Sequence, residues 1–276
     1  MKHKWIHSKN VLISGASSGI GRELTKILIK TYNCNVVGIG RNEKAMLELQ
    51  EELGDLAKNF SYKLFDVSIK ENWKKLSEEF SNSNFQLDVL INNAGMLPKF
   101  DKFGKYDLES FEKIINVNYF SSVYSIHYFL NNIKKSSTPA IINVSSSAAL
   151  CPLAGTSSYS SSKSALKAIT ECLIEDYRKD IYIAYVCPGF TKTNIFRDQG
   201  VKTEKLIDLV SSSCEKNTKK IVKKIVKKRK RIVVGFDAKL MDTFYRHFPR
   251  TFSHSCSKVL KKSKIKLYEN VFKKEH

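Results

Sequence analysis

The chain has 276 residues, of which 42% are hydrophobic, and a formal net charge of +20. An apolar share of that size supports a real core in one large α/β domain or two small ones and excludes a disordered chain. No stretch approaches the roughly 18 apolar residues of a membrane span, and no apolar run that could form a signal peptide stands behind the basic opening MKHKWIHSKN, so a cytoplasmic protein is expected.

Val11, Leu12 and Ile13 form a short apolar run of the kind a fully buried strand shows. Ser14 to Gly21, SGASSGIG, follows and leads into a helical pattern through Ile20, Leu24, Ile27 and Leu28. Strand, glycine turn and helix together make a phosphate cradle. Gly15 suits the tight turn, Gly19 the approach of a pyrophosphate, and Gly21 the packing of helix on sheet. The free N–H groups at the helix start, near Gly19, face the phosphates in such an arrangement.

Residues 34–40 read as a second buried strand, followed by Arg41, Asn42 and a helix beginning near Glu43. A third strand is expected at 60–67, and Trp73, Leu76 and Phe80 mark the face of the next helix. The run 87–92 is the fourth strand and ends in Asn93, Ala94 and Gly95. A long helix from Phe111 to Leu130 turns Ile114, Ile115, Val117, Phe120, Val123 and Ile126 toward the sheet or a partner. Residues 140–144 form the fifth strand, and a serine triplet and a loop lead to a helix over 159–177. The sixth strand, 181–186, closes at Pro188 and Gly189; within the polar stretch 190–213, Leu206, Ile207, Leu209 and Val210 suit a short lid helix. A lysine-rich helix over 217–228 feeds the seventh strand, 231–234, stopped by Gly235. This alternation predicts a single Rossmann-type, doubly wound parallel sheet with helices on both faces. Residues 1–235 would be the dinucleotide-binding and catalytic domain and 236–276 a C-terminal extension. Ligands in such sheets sit at the carboxyl ends of the strands.

Tyr159 and Lys163 stand four apart at the start of a helix and share a face. An ammonium beside a phenol favours the phenolate, bringing the tyrosine below its usual pKa of ~10 and fitting it for proton transfer. Ser146 lies in the loop after a strand, and Asn118 is an amide in an otherwise apolar helix, where it must find a partner. The six cysteines are scattered without a CxxC pair, which suits reduced thiols and indicates neither a disulfide framework nor a zinc cluster. Lysine far outnumbers arginine and is spread along the chain, so nucleic acid is not the expected partner.

Between Asn10 and Gly235 the chain resembles the short-chain dehydrogenase/reductase family. The resemblance rests on ordered motifs: SGASSGIG at 14–21, Asp66, NNAG at 92–95, Asn118 within NVNYF, Ser146, YSSSK at 159–163 and PGFTKT at 188–193. Ser14 replaces the family's usual threonine and keeps the hydroxyl that would bond to the NNAG region. The resemblance implies that Tyr159 is the acid in carbonyl reduction and the base in alcohol oxidation. Lys163 would lower its pKa and bind the nicotinamide ribose, Ser146 would hold the substrate oxygen, and Asn118 would hold a water linking Lys163 to solvent. Hydride passes directly between nicotinamide and carbonyl carbon, so no metal is required. Around the cofactor, Ser17, Ser18, Ile20 and Gly21 would line the pyrophosphate and adenosine side, Asp66 and Val67 the adenine, and Asn93, Ala94 and Gly95 the adenosine ribose. Pro188, Gly189, Thr191 and Thr193 would contact nicotinamide and its phosphate.

Strand two ends at Gly40 and Arg41 instead of the acid that an NAD enzyme uses for its ribose hydroxyls, so NADP(H) is expected, with Arg41 and Ser17 on the extra phosphate. Met96, Leu97, Phe100, Phe103, Leu150, Leu153, Phe190, Ile195 and Phe196 give the substrate loops an apolar character, which suits an apolar or amphipathic ketone, aldehyde or secondary alcohol. A non-catalytic dinucleotide-binding scaffold of the same fold is the alternative. A homodimer is expected through the helices at 111–130 and 159–177. In the extension, Phe244, Phe248 and Phe252 fall four apart, as on one helical face, ahead of the basic run Lys258 to Lys266. These residues either cover the pocket or touch an anionic membrane surface.

Overall fold

The apolar runs pair edge to edge in one sheet. A computed structural model describes residues 4–192, 212–263 and 268–273. Strands β1 (Asn10–Ser14), β2 (Asn35–Gly40), β3 (Phe60–Leu64), β4 (Val89–Asn92), β5 (Ala140–Val144), β6 (Tyr182–Pro188) and β7 (Arg231–Val234) lie in the order β3-β2-β1-β4-β5-β6-β7. All are parallel, with Val11 beside Val36 on one side and Val89 on the other. The order reverses between β1 and β4, which opens a crevice at their carboxyl ends.

Continuous apolar strands are needed because both faces are covered. Val11 and Ile13 enter one core layer with α1 (Gly19–Tyr32), α2 (Glu43–Leu53) and α7 (Cys214–Val226), whereas Leu12 enters the other. That second layer holds Trp73, Leu76 and Phe80 of α3 (Lys70–Asn82) and Phe129 of α5 (Ser121–Lys134). It also takes Ile174 from α6 (Ser157–Asp176). The third strand is shorter than its sequence run because the Asp66 carboxylate turns the chain, accepting from Ser68 N at 2.9 Å.

The long helix differs from a regular α-helix. It starts at α4 (Leu108–Ile115), where Asp107 accepts from the backbone N–H of Glu109 and Ser110, and passes through a π turn, Asn116–Phe120, before α5. Asn118 sits inside that turn. A π turn shifts the register of the following side chains and is a recurrent feature of functional sites. Past β6, Thr191–Lys192 pairs with Ser212–Ser213; the lid helix expected at 206–210 lies outside the described residues.

After β7 come α8 (Phe236–His247), α9 (Pro249–Ser263) and α10 (Glu269–Phe272). The expectation that Phe244, Phe248 and Phe252 share one helical face is corrected here. Phe248 leaves helical conformation (φ −135°, ψ 61°), and proline then opens a new helix. Phe244 and Phe252 instead stack across the corner at 5.6 Å. Further on, Tyr268 and Val271 pack against Leu97 and Phe100, which brings the end of the chain over the strand ends. Among the described residues no helix is long and apolar enough to cross a membrane.

Candidate active site

The β1 turn is shaped by what a side chain would hit. Gly15 has φ +70°, and a Cβ at Gly21 would lie 2.1 Å from the Gly15 carbonyl oxygen. Only hydrogen allows α1 to seat this closely on the strand. The Ser14 hydroxyl accepts from Asn93 N and Ala94 N, both at 3.0 Å, and Asn93 Nδ2 donates to the Ser14 and Gly15 carbonyls, each at 3.1 Å. The two loops at the switch point are therefore locked together, as the retained hydroxyl led us to expect. Ser18 precedes α1 in extended conformation without a side-chain cap, which leaves the first N–H groups of the helix for a ligand.

Two adjoining cavities occupy the crevice and share Gly15, Ser18, Gly19, Ala94 and Gly95. The wider one, about 930 Å³, runs past Ser17, Gly40, Arg41, Asp66 and Val67. A Cβ at Gly40 would stand 2.6 Å from Met46 Cε and 3.3 Å from Ser17 Oγ, so a side chain at the end of β2 would first have to move the flexible end of Met46. Arg41 Nη1 lies 3.3 Å from Asp66 Oδ2 and is largely exposed. Burial works against the Asp66 carboxylate, but the Ser68 hydrogen bonds and Arg41 hold it below its ordinary range.

The narrower cavity, about 230 Å³, holds the candidate chemistry: Ser146, Tyr159 and Lys163, with Asn93, Pro188, Gly189 and Thr191. Tyr159 and Lys163 are on the first turns of α6, and Ser146 follows β5. Ser146 accepts from Ala148 N at 3.2 Å, which fixes its rotamer beside the Tyr159 phenol. Burial raises the Tyr159 pKa, and the Ser146 hydroxyl opposes that. Lys163, 4% exposed, donates to the Val144 carbonyl at 3.0 Å, and loss of solvent pulls its pKa down to about 8. The expected lowering of the tyrosine by lysine is thus not the dominant effect in this geometry. Burial is the largest influence on both groups.

Asn118 is fully buried behind this cavity. Its Oδ1 accepts from Met96 N at 2.8 Å, and its Nδ2 donates to Met96 O at 3.0 Å and Ser162 Oγ at 3.1 Å. Its side chain ties the loop after β4 to α6 under Lys163. Gly21 packs below the cradle and lines neither cavity, although it was also expected along the pyrophosphate, and Thr193 lies outside the described residues. Of the expected substrate residues, Leu97, Phe100, Leu153 and Phe190 line the narrow cavity and Met96 the wide one; Leu150 is buried but lines neither, and Phe103 is 67% exposed. Ile195 and Phe196 are outside the described residues.

Several contributors are invisible at short range in sequence. Met241 and Tyr268 close the narrow cavity from the extension. Asp237 accepts from Phe190 N at 2.6 Å, and a Cβ at Gly189 would meet its carboxylate at 2.2 Å, so this half-buried acid, its pKa raised by loss of solvent, seats the segment after β6. Beneath the site, Ser125 donates to Asn92, Asn92 to Asn143 and Asn143 to Thr170, at 2.6, 2.9 and 2.8 Å. These polar residues, adjacent to or inside apolar runs, were the only sequence signal for that buttress.

A family model described as short chain dehydrogenase matches residues 9–204. A benzil reductase ((S)-benzoin forming) of Saccharomyces cerevisiae is 32% identical over 197 residues, which cover 69% of this chain and 74% of that protein. A 3-ketodihydrosphingosine reductase of Bos taurus is 28% identical over 250 residues, covering 85% of this chain and 73% of its own. A solved short-chain dehydrogenase from Burkholderia cenocepacia, in complex with NADP, superposes with a TM-score of 0.76 at 20% identity, over 91% of this chain and 98% of that one. That last likeness is one of fold.

Proposed function

The chain belongs to the short-chain dehydrogenase family, and on that premise we propose that it is an NADP(H)-dependent reductase of an apolar or amphipathic ketone or aldehyde, working in reverse on the secondary alcohol. The carrying observation is that Ser146, Tyr159 and Lys163 line one narrow cavity that continues into the cleft of Ser17, Gly40 and Arg41. The residues fit the cofactor. The Gly15–Gly21 cradle offers backbone N–H groups for a pyrophosphate, Arg41 and Ser17 suit the additional phosphate of NADP, and Gly40 leaves the strand end without the acid that would select NAD. Pro188, Gly189 and Thr191 line the cavity of Tyr159, which supports a role for them at the nicotinamide end. When bound, the nicotinamide supplies or accepts the hydride.

In reduction Tyr159 gives its phenolic proton to the carbonyl oxygen, and in oxidation it takes one from the alcohol. The Ser146 hydroxyl orients that oxygen, and Asn118 keeps α6 and the Met96 loop in register around Lys163. Leu97, Phe100, Leu153, Met241 and Tyr268 exclude water, and Lys163 is the one basic side chain among the described lining residues. An apolar carbonyl compound is favoured over a small acid on that ground. The names of the two curated relatives both describe ketone reduction. The complete set of four polar residues favours turnover over a silent scaffold. A second copy of the chain is the proposed protein partner, through α5 and α6, where Phe120 and Tyr124 stack at 5.9 Å and Phe120 is 37% exposed.

Purified protein assayed with NADPH against a panel of ketones and aldehydes tests the reading. Tyr159→Phe should lower kcat by about a hundredfold or more with NADPH binding retained; near-normal turnover by that variant would end the assignment.

A further inference from the structure

Helix α8 carries a surface that the catalytic reading does not use. Phe236, Leu240, Phe244 and Phe248 recur every fourth residue along and just past it, exposed by 80, 41, 45 and 61%. Its buried residues, Ala238 and Met241, lie on a different side, and Met241 reaches the substrate cavity. Large aromatic side chains this open, in a row, are costly in water and mark a contact surface.

The charge around the stripe is lopsided. Lys239, Arg250, Lys258, Lys261 and Lys262 are exposed on α8 and α9. The two acids of these helices are already engaged, Asp237 with Phe190 N and Asp242 with Arg231 and Arg246. Lys224 of the neighbouring α7 has its pKa lowered by burial and by Lys239, Arg229 and Lys220, a sign of crowded cations. On α9, Val259 is 62% exposed between the lysines.

We propose that α8 and α9 form a docking surface for an anionic phospholipid bilayer, with the phenylalanines in the acyl boundary and the lysines on the headgroups. An apolar row flanked by unneutralised lysine is what an interfacial helix needs, and a protein partner would have to bring acids to match every one of those cations. The surface adjoins the wall that Met241 gives the cavity, so a lipophilic carbonyl compound held in the bilayer would lie near the site.

Full-length protein is sedimented with vesicles of phosphatidylcholine alone and of phosphatidylcholine mixed with phosphatidylserine, at low and high salt. It should pellet with the mixed vesicles at low salt and be released by high salt. Phe236→Ser with Phe248→Ser should reduce the partition by about tenfold or more, the worth of burying one large apolar side chain. Lys261→Glu with Lys262→Glu should reduce it by about fivefold for each cation removed. All four positions are exposed, and an unchanged thermal midpoint confirms that the variants are folded. Wild type remaining in the supernatant with mixed vesicles at low salt would overturn the proposal. So would binding indifferent to the phenylalanine pair, or light scattering in which that pair alone dissociates a dimer, which would make a second copy the occupant.

Discussion

Lys163 offers the sharpest physical test of the site, because no carboxylate among the described residues pairs with its buried ammonium. Its pKa falls from 10.5 to about 8 through loss of solvent, with the Val144 carbonyl as its one protein hydrogen-bond acceptor among the described residues. A displacement of that size corresponds to roughly 3 kcal/mol of unfavourable burial at neutral pH. The sign follows from linkage. Between the folded and unfolded pKa values the unfolded chain binds more protons, so stability rises with pH across that window, and below it the full penalty is present. Replacing Lys163 with Met keeps the length and removes the charge. Urea unfolding of both proteins without cofactor, from about pH 7 to about pH 9.5, should show wild type gaining about 2 kcal/mol relative to Lys163→Met. Taking the difference cancels the thiols of Cys34 and Cys214, whose raised pKa values act in the opposite direction in this range. A difference that stays flat over the window would show that the ammonium is not desolvated, and the argument for a poised lysine would fail.

Arg41→Ala should weaken NADPH by about 1–2 kcal/mol, below the full worth of a charged hydrogen bond because the guanidinium is exposed and shared with Asp66, and leave NADH nearly unchanged. Equal binding of both cofactors by wild type in a titration would contradict the reading of the β2 end. Gly21→Ala, which brings a methyl against the Gly15 carbonyl, should cost about 1–3 kcal/mol in unfolding and reduce cofactor binding with it; an unperturbed variant would mean that α1 is not held as described. Light scattering at micromolar concentration should give a dimer mass, and a monomer would remove the role proposed for α5 and α6.

The sequence alone determined the sheet, its helices and the order of the motifs, because these depend on local chemistry. Val11 to Ile13 can only be a buried strand in that setting, glycine alone fits at 15 and 21, and Tyr159 and Lys163 share a face through helical spacing. The bonds of Ser14 to Asn93 and Ala94 followed from the family resemblance, whose hydroxyl at this position the serine keeps. What the sequence could not decide was set by burial and by contacts between distant segments. The π turn at Asn116–Phe120 arises within a stretch that reads as uniform helix, and the pairing of Asn118 with Met96 exists only once that turn meets the loop after β4. The phenylalanines of the extension kept a helical period on paper, but the chain turns at Phe248, so the row became Phe236 to Phe248, with Phe252 folded back on Phe244. Tyr268 and Met241 entered the cavity from the far end of the chain, where no local pattern marks them. The electrostatics of Tyr159 and Lys163 were likewise a matter of tertiary structure. Spacing placed the two groups together, and the depth of the pocket made desolvation the largest influence on each.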